Sequence, residues 1–218
     1  MDKPQIISNT ISFVKSTLKN AESGHDWFHI ERVYKNAKLI AATEKVDNFV
    51  IELAALLHDI ADSKFHNGDE TIGPKKALKY LESQDIDKQI TTHIVAIIAN
   101  MSFSKSLDKT KKFTSLEMQV VQDADRLDAI GAIGITRAFN YGGFKNRAIY
   151  DPEIKPNLNY TKEEYKKSNA PTINHFYEKL LLLKDKMNTN TGKQIARQRH
   201  QFMELFLLQF YEEWNGKK

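Results

Sequence analysis

An all-α fold is what this sequence predicts, and three observations predict it. Glycine (9) and proline (5) are sparse in 218 residues. Long stretches carry the apolar period of about 3.6 residues that marks amphipathic helices, and the strict alternation of half-buried strands is hard to find anywhere. No internal repeat, low-complexity tract or clear linker interrupts the pattern, so the simplest organisation is one helical domain over 1–218.

Taken in order, Pro4 to Lys19 reads as a first helix. The polar break at Ser23-Gly24 leads to Asp26, a candidate N-cap for a helix from about Trp27 to Glu44, with Ile30, Val33, Ala37 and Ile40 along one face. Asp47 can cap the next helix, to about Ala61. Val50, Ile51, Leu53, Ala54, Leu56 and Leu57 make that helix apolar nearly all round, so it is expected to be central. Phe65 to Thr71 contains Gly68 and reads as a loop. Helices near Pro74–Ser83 and Asp87–Asn100 follow, then a polar loop over Ser102–Thr114 and a further helix over about Leu116–Phe139. Tyr141 to Tyr160 holds two glycines and two prolines and predicts a long irregular loop. Two amphipathic helices, about Ile173–Met187 and Gln194–Trp214, end the chain.

Composition narrows the chemistry. There is no cysteine, which excludes disulfides and thiolate metal sites, so any metal falls to His, Asp or Glu. Residues 1–19 lack the unbroken apolar centre of a signal peptide, and no apolar run approaches the roughly 18 residues of a membrane span. A soluble, cytoplasmic protein with no membrane partner is the expectation. The formal net charge of +4 is spread along the chain, with Lys109, Lys111 and Lys112 as its densest cluster, which reads as a solvated loop. A phosphate-rich small molecule suits such a chain. No RNA-binding sheet motif or zinc-finger spacing points to nucleic acid.

The chemistry-bearing residues are His29, the doublet His58-Asp59, and the cluster Asp123, Asp125 and Asp128. The doublet directly follows the most apolar helix. Buried charge needs a partner, and a divalent cation satisfies both members together. Each element also has an ordinary structural reading. His29 alone suits a hydrogen-bonded helix histidine, and Asp128 suits an ion pair with Arg126 or a lysine. His25 lies four residues before His29, but with Asp26 as the cap it falls outside the helix.

The order His29, His58-Asp59, Asp125 resembles the H…HD…D signature of the HD superfamily of metal-dependent phosphohydrolases. The flanks agree: Gly24-His25-Asp26-Trp27-Phe28-His29 before the first ligand, and Val121-Gln122-Asp123-Ala124-Asp125-Arg126-Leu127-Asp128 around the last. The stretch from Asn174-His175-Phe176-Tyr177-Glu178-Lys179 through Arg199-His200-Gln201-Phe202-Met203 is similar to a compact bacterial subgroup associated with nucleoside triphosphate pyrophosphohydrolysis. The resemblance implies an HD-domain helical bundle, with a metal-site core at about 24–140 and a C-terminal helical extension at about 170–214. It implies one divalent ion on His29, His58, Asp59 and Asp125, and it favours Asp125 over Asp123. Mn is the expected metal, with Mg, Ni, Fe or Zn as alternatives.

The same resemblance implies hydrolysis of (deoxy)nucleoside triphosphates to monophosphate and pyrophosphate by attack of a metal-bound water. Asp59 and Asp62 are then the catalytic carboxylates, Asp62 moving a proton if the helix persists to it. Lys64, Arg126, Lys145, Arg147, Lys179 and Arg199 are the candidate phosphate contacts, and Phe144, Tyr150 and Tyr160 candidate base-stacking rings. Competing readings are a nucleotide phosphomonoesterase, a cyclic-nucleotide or alarmone hydrolase, a non-catalytic nucleotide-binding module, and a di-iron oxygenase drawing on His66 and His93. A homodimer is left open.

Overall fold

Aspartates start most of the helices that matter. Asp2, Asp26, Asp47 and Asp87 each accept backbone N–H groups from the first turn they precede, and Ser115 and Thr189 do the same through their hydroxyls. Each such cap satisfies otherwise orphaned donors and stabilises its helix by about 1 kcal/mol. The computed structural model describes residues 2–21, 24–61, 69, 71–101, 113–161, 164 and 168–218. Most of the expected loop at 102–114 and of that at 65–71, with Asp62, Lys64 and His66, lies outside the described residues.

Within them the chain is helical: α1 Lys3–Thr17, α2 Trp27–Ala41, α3 Asn48–Leu57, α4 Ile72–Ser83, α5 Lys88–Asn100, α6 Leu116–Asp128, α7 Gly131–Phe144, α8 Thr172–Glu178, a 3-10 helix Leu180–Lys186, and α9 Asn190–Trp214. Among the described residues there is no β-strand, and no helix is long and apolar enough to cross a membrane. Contacts divide the chain into two units, 1–125 and 126–218.

In the first unit α3 is the centre. Eight of its ten residues are buried, and it packs on α1, α2 and α5, while α4 packs on α5. Ile30, Val33, Ala37 and Ile40 of α2 and Ile94 and Ile97 of α5 are sealed from solvent. The all-round apolar character of α3 thus has the expected consequence. The helix stops at Leu57, however, four residues before the expected end. The helical spacing that brought Asp62 near Asp59 therefore loses its basis.

The second unit is built on α9, which packs on α7 and the 3-10 helix, with α8 against both of those. Phe139, Phe176 and Phe206 form its aromatic centre, with ring centroids 5.8 to 6.0 Å apart.

Two expected helices are each broken. The one at Leu116–Phe139 ends at Asp128, and α7 begins at Gly131 with φ +76°. A Cβ there would lie 2.9 Å from Arg199 Cγ, so both backbone conformation and close approach require glycine. The helix expected at Ile173–Met187 breaks at Lys179 and continues as a 3-10 helix. Leu180 and Leu183 are buried while Leu182 is exposed, a spacing of three that fits the tighter helix.

Candidate metal centre

Each residue of the segment before α2 has a place. Gly24, at φ +103°, turns the chain. Asp26 Oδ1 accepts the His29 N–H at 3.0 Å and starts the helix. The Trp27 ring lies beneath Lys15 Nζ, 4.7 Å from its centroid. That start places His29 in the first turn, with its side chain 3% exposed.

His58 terminates α3. Its Nδ1 donates to the Ala55 carbonyl at 2.8 Å, which leaves the Nε2 lone pair free to bind. Asp125, on α6, is 43% exposed at its side chain and completes the group.

His29 Nε2 is 3.5 Å and His58 Nε2 3.9 Å from Asp125 Oδ1, and the ligand atoms of the three residues lie within 4.8 Å of one another. Atoms bound to one ion at about 2.1 Å sit about 3.0 Å apart when adjacent and about 4.2 Å when opposite. Two imidazoles and a carboxylate at these separations fit a divalent transition metal. Among the described residues these three form the group, and Asp123, fully buried two residues earlier, is not in it.

Asp59 stands beside the group with Oδ2 2.6 Å from His25 Nδ1. Burial works to raise its carboxyl, but the hydrogen bond from His25 and the charges of His58, His25 and His29 outweigh burial and hold it below its ordinary value. His25 is the site residue that sequence reasoning passed over. Its position just outside the helix was legible, but the contact it makes there joins residues 34 apart.

The cations singled out from sequence have varied surroundings in the second unit. Arg126 donates to the Lys186 carbonyl and Arg199 to the Leu127 carbonyl, each at 2.5 Å. Asp128, 1% exposed, pairs with Arg137, whose Nη1 is 2.6 Å from its carboxylate and 3.1 Å from its carbonyl. Arg147 donates to the Ser168 carbonyl at 2.5 Å and lies over Tyr141. Lys145 is exposed over Phe144 and Tyr141, and Lys179 is exposed at the end of α8.

Of the candidate stacking rings, Tyr150 packs edge-on against Phe210, Tyr211 and Trp214, and Tyr160 bonds to Ser168. Phe144 is exposed. His93, weighed for a second metal, is 3.0 Å from Ser115 Oγ and 3.7 Å from Glu117 Oε2, outside the His29–His58–Asp125 group. His175 is driven down to about 3 by burial and by the charges of Lys179 and Arg147.

Comparison with known proteins places this geometry. The HD domain family matches residues 27–130, a span containing His29, His58, Asp59 and Asp125. The uncharacterized protein YpgQ of Bacillus subtilis is 38% identical over 205 residues, covering 94% of this chain and 92% of that protein. The crystal structure of an HD-superfamily hydrolase from Bacillus thuringiensis matches with 47% identity and a TM-score of 0.79, covering 98% of both chains. The structure of B. subtilis YpgQ in complex with ADP matches with 34% identity and a TM-score of 0.77, covering 98% of this chain and 97% of that one. With the metal-ligand cluster in place and these relatives matched along nearly their whole length, the chain belongs to the HD superfamily of metal-dependent phosphohydrolases.

Proposed function

We propose that the protein hydrolyses (deoxy)nucleoside triphosphates to the monophosphate and pyrophosphate, using one Mn ion held by His29, His58, Asp59 and Asp125. The convergence of His29, His58 and Asp125 carries the reading. Support for a nucleotide comes from the ADP complex of the related YpgQ. Such an ion, when bound, acidifies a water and neutralises charge on a phosphoryl oxygen.

The chain's own residues do the rest. His58, oriented by its bond to the Ala55 carbonyl, and His29, carried in the first turn that Asp26 caps, offer imidazole nitrogens to the ion. Asp59, held as a carboxylate, adds a negatively charged donor. The water oxygen bonds to the α-phosphorus, the bond from that phosphorus to the bridging oxygen breaks, and pyrophosphate leaves with that oxygen. Asp62 takes the proton released from the water.

Phosphorus NMR of the metal-stripped protein with mixed deoxynucleoside triphosphates, before and after Mn, tests the reading. Pyrophosphate that forms only with Mn and disappears in Asp59→Ala supports it. Orthophosphate in its place makes the enzyme a phosphatase, and no product from any triphosphate removes the proposed substrate. Single charge-removing substitutions at Lys64, Arg126, Lys145, Arg147, Lys179 and Arg199, read as KM and kcat, sort phosphate contacts from bystanders.

A further inference from the structure

His58 and Asp59 are adjacent, yet they are oriented by different means. The imidazole of His58 is locked from within its own helix by the Ala55 carbonyl. The Asp59 carboxylate is met from another segment, by His25, whose Nδ1 approaches Oδ2 to 2.6 Å. An ionised carboxylate only accepts, so Nδ1 is the donor, and the length is that of a charge-assisted hydrogen bond. His25 is itself held between the turn at Gly24 and the cap at Asp26. Its ring centroid lies 6.2 Å from that of His29, and it is not one of the three residues whose ligand atoms converge.

We propose that His25 is a positioning residue of the metal centre: it holds Asp59 Oδ2 so that Oδ1 is the oxygen offered to the ion alongside His29, His58 and Asp125. The proposal rests on the reading in which Asp59 is a ligand, and it adds a fifth residue to the four in the signature. It also gives the Gly24-His25-Asp26 segment two tasks at once. One residue starts the helix that carries His29, and its neighbour orients a carboxylate that follows a different helix. Loss of a group that orients a metal ligand weakens binding about 10- to 100-fold.

The test is Mn titration of the metal-stripped full-length protein by electron paramagnetic resonance, comparing wild type with His25→Ala, His25→Asn and Asp59→Ala. Asparagine places an amide N–H near the position of Nδ1 and keeps a donor to Asp59. His25→Ala is expected to raise the Mn Kd about 10- to 100-fold, and His25→Asn to recover most of that loss. In an Asp59→Ala background, His25→Ala should cost nothing further. Thermal melts of the metal-free variants matched to wild type separate lost positioning from lost folding. Wild-type affinity in His25→Ala, an Asn variant as weak as the Ala variant, or an undiminished cost without Asp59 would each overturn the proposal. Because Mn binding is read without substrate, a failed nucleotide assay leaves this result intact.

Discussion

Replacing His175 with glutamine should flatten the acid dependence of stability in a calculable way. His175 is partly buried on α8, and its folded-state value falls from 6.5 to about 3 through burial, then Lys179 and Arg147. The unfolded chain binds a proton there at 6.5 and the folded chain does not. The stability contributed by the neutral ring is therefore fully present above pH 6.5 and is lost as pH falls from 6.5 towards 3. Integrating that difference from pH 7 to pH 5 gives about 2 kcal/mol, which solvent screening of the partly exposed ring reduces to about 1 to 2 kcal/mol.

The assay is urea unfolding in EDTA at pH 7, 6 and 5, in a Trp27→Phe background where Trp214 fluorescence reports on the unit containing His175. The stability gap between wild type and His175→Gln should shift by that amount between pH 7 and 5, with wild type losing more. Parallel pH dependences for the two proteins would refute the reasoning.

Other sites yield sharper perturbations. Asp125→Asn removes the carboxylate that faces both His29 and His58 and should weaken Mn binding at least 10-fold by calorimetry, with unchanged affinity striking Asp125 from the ligand set. Asp128→Ala leaves Arg137 without its buried carboxylate partner, so chemical unfolding should show a loss of about 2 to 4 kcal/mol; a loss below 1 kcal/mol would mean that solvent already screens the pair. Gly131→Ala combines a positive φ with a methyl pressed on Arg199, and about 1 to 3 kcal/mol should be lost in the same measurement. An unaffected midpoint there would show that α6 and α7 join in some other conformation.

Sequence by itself determined the parts of this protein that depend on short-range chemistry. A capping aspartate acts on N–H groups two or three residues ahead, so the starts of α2 and α3 were readable at Asp26 and Asp47. The burial of α3 followed from its apolar composition, and the ordered pattern His29, His58-Asp59, Asp125 pointed to a metal before any geometry was known. Tertiary structure decided what depends on partners far along the chain. Gly131 did not by itself announce the break, because part of what demands a glycine there is the close approach of Arg199, 68 residues on. Arg126 and Arg199 were legible as candidate phosphate contacts, but not the carbonyls of Lys186 and Leu127 to which they donate. His25 read as a residue displaced from its helix, and only the fold brought Asp59, 34 residues on, within 2.6 Å of it. The physical reason is one of range: caps and helical periods act within a turn or two, whereas a buried donor or carboxylate takes whichever partner the packed chain delivers.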